Sequence, residues 1–440
     1  MKVHWRRNAS LVLGCIAMAG VVGCGDDDGG GGGGGSAGGD ESGTTEGAKV
    51  IDVAAMESAK GTVKYCAGKD TTGATRGWVK DFNAANAANN LKVEFVEFPA
   101  SADEQRNLFI QRQQAKSGDC DVFSSDVIWT AEFAAQKWLY DVTPYIESRK
   151  AEFIPAPIET ITFDGKIWGV PESTDAAFIY YRKDKVDAPP ATWQELYASA
   201  ADDGGIVFQG AAYEGLTVDF LELAFAAGGT VVSEDGTKAT IDSPENVAAT
   251  KLMADAVKNG AAPKAVSTYM EPESLTAFQT GDYTYMRNWP YAYALNQKAE
   301  NVKGKFEVVP FPSWEGGGKA GILGGHNSVV SAFSKNPGGA LKVVEWISSP
   351  ENQVKFASKF SLAPVLEETY DDAAVKKALP FSAELKQAVS QAKARPVSPV
   401  YPQISQAIYK NVNAAISGQT TPEDAMKQAQ SDIEKALATF

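Results

Sequence analysis

The chain has 440 residues, with 41 Lys and Arg against 55 Asp and Glu and a formal charge of −14. An acid surplus of that size repels phosphate backbones and anionic lipid surfaces, which excludes nucleic acid as the natural partner. The length exceeds what one core fills well and points to two lobes.

At the N-terminus, Lys2, Arg6 and Arg7 precede an apolar stretch from Ala9 to Val22, and V21-V22-G23-C24 places a small residue before a cysteine, as in a lipobox. The stretch is shorter than the roughly 20 residues a spanning helix needs, so it reads as a cleaved leader. Cleavage before Cys15 would leave too short an apolar region, which favours Cys24. Residues 1–23 are expected to be removed and Cys24 lipidated. That anchors the chain to the outer face of the cell membrane, the periplasmic side where an outer membrane exists; stable attachment takes more than one acyl chain. The following GDDDGGGGGGGSAGGDESGTTEG holds no apolar cluster and reads as a tether over 24–48 with a reach of roughly 25 to 30 Å.

From residue 61 strands and helices alternate: GTVKYCAG, a helix around ATRGWVKDFNAAN, KVEFVEFP, a helix in ADEQRNLFIQRQQAKSG, then DVFSSDV. This spacing predicts βαβ units and a parallel sheet, with ligands at the carboxyl ends of its strands. Cys66 closes the first strand and Cys120 opens the third. A disulfide and two buried, unreactive thiols are both compatible with that placement in an oxidising compartment.

A second alternation runs through AAFIYYRKD, TWQELYASA, GIVFQG and GLTVDFLELAFAAGG to a helix capped by Ser243 before Pro244 and the strand YTYMRNW. FEVVPFPSW and NSVVSAFSK read as strands returning to the first lobe. Helices follow at GGALKVVEWISS, after Ser349-Pro350, at SAELKQAVSQA, at YPQISQAIYKNVNAAISG and after Thr421-Pro422. The expected division is 49–175 with 308–365 as one lobe and 176–307 with 366–440 as the other, with a hinge and a cleft between them.

Catalytic signatures are sparse. His326 is the only histidine beyond the leader, so neither a histidine metal cluster nor a Ser-His-Asp constellation is expected, and no phosphate-binding loop or CxxC pair occurs. Paired carboxylates of a glycosidase carry no short signature and keep an enzyme as the alternative, alongside a receptor for another solute. Binding signatures are richer. MRNWPYAYAL gathers Trp289, Tyr291 and Tyr293 around Pro290, which suits neither a buried strand nor a helix interior. It reads as a strand ending at a cleft, where Trp289 offers a flat face to a pyranose ring and Tyr291 extends the platform. Asp126 ends a strand in SSDVIW, Asp175 sits on the crossover in STDAAFIYY, and Arg395 lies in the proline-rich ARPVSPVYP. These are the residue types that bond sugar hydroxyls, set on segments a two-lobed cleft would unite.

The lipobox and tether, DVFSSDVIWTAEFAAQKWLYDVTPYI, GVPESTDAAFIYYRKD, MRNWPYAYAL, GGHNSVVSAFSKNP and ARPVSPVYPQISQAIYKNVNAAISG together resemble the extracellular solute-binding proteins of ABC sugar importers, within them the trehalose- and maltose-binding branch. The resemblance implies an α/β, two-lobed type II periplasmic-binding fold that closes on a disaccharide or oligosaccharide. It implies a monomer that needs no cofactor, metal or catalytic residue and delivers its ligand to ABC permease subunits in the membrane. By the same resemblance Asp126, Asp175, Trp289, Gly325 and Arg395 contact the sugar, with Asp70 and Glu214 in similar positions. The chain departs from the branch at His326, where Trp is common, and at Ser173, two residues before Asp175; an imidazole can still stack and hydrogen-bond.

Overall fold

The computed structural model describes residues 48–234, 236–396, 398 and 400–439. The leader, Cys24 and the tether up to residue 47 lie outside the described residues. The strands in chain order are β1 (Gly61–Ala67), β2 (Leu91–Glu97), β3 (Val122–Asp126), β4 (Thr162–Phe163), β5 (Lys166–Ile167), β6 (Val170–Asp175), β7 (Phe178–Arg182), β8 (Ile206–Val207), β9 (Tyr285–Asn288), β10 (Phe306–Val309) and β11 (Gly324–Val330). They form one five-stranded sheet in the order β2-β1-β3-β11-β6 and one four-stranded sheet in the order β10-β7-β9-β8, with β4-β5 a small separate pair.

In the first sheet β2, β1 and β3 run parallel, while β11 runs antiparallel to both of its neighbours. Strand β1 is buried on both faces, as a central strand of an α/β sheet must be. Val63 and Tyr65 face the helices Ala74–Ala85 and Pro337–Ile347 through Trp78, Phe82, Leu341 and Val344. Cys66 faces the other layer, with Phe109 of Ala102–Gln114 and Phe133 of Thr130–Ala135. At the edge, β2 alternates buried Leu91 and Val93 with exposed Lys92 and Glu94, the pattern of a half-covered strand.

The second sheet has its own two layers. Ile179 and Tyr181 of β7 pack toward the helices Trp193–Asp203, Glu214–Ala226 and Tyr401–Ile416, and Phe178 and Tyr180 toward Glu271–Gln279 and Ser382–Gln391. Only Ala176 and Ala177 separate β6 of the first sheet from β7 of the second, so the two are almost one continuous strand. The helices capped by Ser243, Ser349 and Thr421 begin at the prolines that follow those residues, each cap accepting a backbone N–H from three residues on.

One expected assignment is corrected. FEVV does not return to the first lobe: Phe306–Val309 pairs antiparallel with Ile179–Arg182 of β7, so the boundary drawn at 308 cuts a strand of the second sheet. The return comes with β11. Alternating apolar residues mark a strand but not the sheet it joins, and here the partner is set by long-range register.

Cys66 and Cys120 lie with their Cα atoms 5.8 Å apart and their sulfurs joined, tying the end of β1 to the approach of β3 across 54 residues. Closing a loop of that length stabilises by about 2 to 4 kcal/mol. The double variant Cys66→Ser/Cys120→Ser should lose that much in urea unfolding while keeping its far-UV circular dichroism, and equal stabilities of the two proteins would contradict the link.

Candidate functional site

The carboxyl ends of β1, β3 and β6 and the start of the antiparallel β11 lie at one edge of the first sheet, facing the end of β9 from the second. A cleft of about 290 Å³ lies there, and every residue expected to meet the ligand lines it: Asp70, Asp126, Asp175, Glu214, Trp289, Tyr291, Gly325, His326 and Arg395. A wider surface depression of about 1480 Å³ lies away from these strand ends, against Phe82 and Trp346, and none of them lines it. Lining a cleft and offering a free polar group to it are different things, and the hydrogen bonds separate the two.

Arg395 is buried and lies in a segment that runs beside residues 321–323, where Leu323 N–H donates to the Lys393 carbonyl at 2.9 Å. Its Nη1 donates to Glu214 Oε1 at 2.9 Å and its Nη2 to Asp126 Oδ1 at 2.8 Å, so one guanidinium joins the end of a first-sheet strand to the start of the helix Glu214–Ala226. Tyr401 and Ser405 also donate to the Glu214 carboxylate, which leaves both its oxygens occupied. Burial raises Glu214 to about 7 even beside Arg395. Glu214 therefore anchors Arg395 rather than presenting a carboxylate to the cleft.

Asp70 is likewise spent. Its carboxylate accepts from the N–H groups of Thr75 and Arg76, at 3.4 and 2.9 Å, in the first turn of Ala74–Ala85, whose own N-cap is Gly73 with no side chain to offer. Asp126 is half spent: Oδ1 takes Arg395 and, at 3.2 Å, the Ile128 N–H, whereas Oδ2 has no partner among the described residues. Asp175 is unspent. It ends β6 opposite Gly324, and no described residue donates to its carboxylate. Burial raises it to about 8, the Arg287 guanidinium working against that rise and the Asp126 charge adding to it.

Trp289 follows β9 directly. The Arg287 guanidinium lies 4.3 Å from its ring centroid, a cation–π contact that covers one face of the indole. Arg287 is fixed in turn by Glu222, by Gln209 Oε1 at 2.7 Å and by Asp219 at 3.0 Å. The Trp289 N–H donates to Asn288 Oδ1 at 2.8 Å, and Tyr180 donates to the Trp289 carbonyl at 2.7 Å. The aromatic cluster is divided: Trp289 and Tyr291 line the cleft, whereas Tyr293 packs edge-on against Phe306 and Phe381 in the second lobe.

Two glycines give the rings and strands room. A Cβ on Gly324 would stand 2.8 Å from Trp289 Cζ3, and one on Gly325, at φ +117°, would stand 2.3 Å from the Ser173 carbonyl oxygen. Only Gly325 was expected; the doubled glycine of GGHNS was the available signal for Gly324. His326, half-buried, pairs with Asp126 across β3 and with Ser173 across β6. Glu172 and Glu271 also line the cleft and were not anticipated. Glu172 accepts from Tyr65, Ser124 and Ser328 at 2.6, 3.2 and 2.7 Å beneath the floor, an arrangement that alternation along VPESTD does not announce. Among the described residues no group of acids, histidine and cysteine is placed to hold a metal ion.

Chemically the cleft offers a flat ring, an unspent carboxylate, a free carboxylate oxygen and a buried guanidinium, which together suit an uncharged ligand rich in hydroxyls. A carboxyl whose folded-state pKa is raised holds its proton more tightly when folded, so its burial is harmless below about pH 4 and increasingly destabilising as pH rises toward its folded value. In thermal unfolding of the ligand-free protein, Asp175→Asn should match the parent near pH 4 and exceed it progressively up to about pH 8. Parallel stability curves would contradict the burial of that carboxylate.

Residues 68–354 match the family model described as bacterial extracellular solute-binding protein. A probable ABC transporter-binding protein of Deinococcus radiodurans is 35% identical over 363 residues, 78% of this chain and 86% of that protein. Maltose-bound MalE3 of T. maritima superposes with a TM-score of 0.81 at 35% identity, covering 85% of this chain and 99% of that one. A maltotriose-binding protein of Pyrococcus abyssi is 26% identical over 70% of this chain and 67% of its own. The fold is the two-lobed type II periplasmic-binding fold, the relatives are transporter receptors rather than enzymes, and the chain belongs to the bacterial extracellular solute-binding proteins.

Proposed function

We propose that this protein is the receptor of an ABC sugar importer that captures a saccharide of disaccharide size, such as maltose or trehalose, and hands it to the membrane permease. The observation that carries this reading is the unspent Asp175 carboxylate in the same cleft as the Trp289 indole. A pyranose meets both at once, stacking its C–H face on the ring while its hydroxyls donate to Asp175 and to Asp126 Oδ2. His326 and Tyr291 complete the walls, and the maltose-bound relative at 35% identity supports the choice of sugar.

Capture works by closure. Asp126 and Asp175 belong to strands of the first sheet and Trp289 follows a strand of the second, so a ligand touching all three favours the closed arrangement by the contacts the open one lacks. Lipidation at Cys24 and the glycine-rich tether would keep the receptor beside its permease, raising the effective concentration of an otherwise monomeric protein. The ligand is identified by a thermal-shift screen over maltose, trehalose, maltotriose and other neutral sugars, in which a ligand at one hundred times its Kd adds about 2.7 kcal/mol. Calorimetry with the sugar so found should show Trp289→Ala binding at least about tenfold more weakly at unchanged far-UV circular dichroism. Equal affinity, or no response to any sugar, would reject the reading.

A further inference from the structure

The helix Glu214–Ala226 starts at the cleft without a cap of its own: its N-cap residue is Tyr213, whose side chain makes no capping bond. Exposed N–H groups at a helix start are ordinarily satisfied by a Ser, Thr, Asp or Asn at that position. Here the acceptor comes from the other lobe. Asp103, in the first turn of the first-lobe helix Ala102–Gln114, places Oδ2 3.0 Å from the Glu214 N–H, across a separation of 111 residues. Two helix N-termini, each bearing partial positive charge, meet at this point, and the Asp103 carboxylate lies between them.

The residue so capped is the one that holds Arg395, and Arg395 holds Asp126. Glu214 of the second lobe is thus fastened to the first lobe twice, by its N–H to Asp103 and by its carboxylate through Arg395 to Asp126. Asp103 does not line the cleft and so touches no ligand there. Opening the lobes would break its bond and leave the helix start to water.

We propose that Asp103 is a closure latch, a positioning residue that caps a second-lobe helix from the first lobe and so favours the closed arrangement whichever solute is bound. The proposal needs only that the lobes close; the saccharide reading enters through the choice of ligand. Losing a cap of this kind should lower the closed-to-open ratio about fivefold, whereas asparagine caps about as well as aspartate.

The test uses the folded protein with one fluorophore on each lobe at exposed positions, and compares the parent with Asp103→Ala and Asp103→Asn. Single-molecule energy transfer without ligand should show the closed-to-open ratio falling about fivefold in Asp103→Ala and staying near the parent in Asp103→Asn. Dissociation of maltose should be about fivefold faster in Asp103→Ala alone. A lower melting temperature in Asp103→Ala with unchanged lobe distances and dissociation rate would assign Asp103 a purely structural role and overturn the proposal, as would an Asp103→Asn variant that opens as much as Asp103→Ala. Failure of the parent to bind maltose would count against that sugar, while the ligand-free measurement would still decide the latch.

Discussion

A guanidinium withdrawn from water must be paired, and the pairing of Arg395 organises this protein. Removing such a charge from solvent costs several kcal/mol unless hydrogen-bonded acids offset it. Arg395 meets the requirement with Asp126 from the first sheet and Glu214 from a helix of the second lobe, so the chemistry that makes its burial tolerable also sets how the two lobes meet. The burial lifts the Glu214 carboxyl to about 7, and Tyr401 and Ser405 supply the donors that keep it acceptable. With one acid on each side, the bridge occupies Asp126 Oδ1 and the Glu214 carboxylate and leaves Asp126 Oδ2 and Asp175 for hydroxyl donors to meet.

From that arrangement follows a division among the cleft acids. Asp70 serves a helix start, Glu214 serves Arg395, and Glu172 serves three hydroxyls beneath the floor. Of the acids singled out in the sequence, Asp175 and one oxygen of Asp126 remain. Behind Trp289 the same logic recurs: Arg287 is held by Asp219 and Glu222 and spends its face on the indole, which fixes the ring before any ligand arrives. A ring held in place loses little freedom on binding, so more of its stacking energy reaches the ligand.

Much of this was legible in the sequence because it is local. Strand and helix periods marked the parallel strands β1, β2 and β3 of the first sheet, though not β6 or the antiparallel run of β11, and the Ser-Pro and Thr-Pro pairs marked three helix starts correctly. The aspartates at strand ends could be placed at a cleft because open α/β sheets present those ends to ligands. What was not legible depends on long-range partners. Alternation in FEVV could not say that β10 joins β7, and no spacing could say that Tyr293 turns into the core while Tyr291 faces the cleft. Whether an acid is free depends on donors distant in the sequence, such as the Arg76 N–H for Asp70 after a glycine cap or Ser405 for Glu214. For the same reason Asp103 and Gly324 drew no notice: one acts on a helix 111 residues away, and the other matters only because an indole lies against it.

If the unspent acids and the fixed indole grip one saccharide across a gap held by Arg395, a crystal structure of the protein grown with a sugar it binds will show it. The sugar ring should lie against Trp289, with hydroxyls within hydrogen-bond distance of Asp175 and of Asp126 Oδ2 and Arg395 still joined to Asp126 and Glu214. A sugar bound elsewhere, or one that leaves Asp175 and Trp289 untouched, would contradict it.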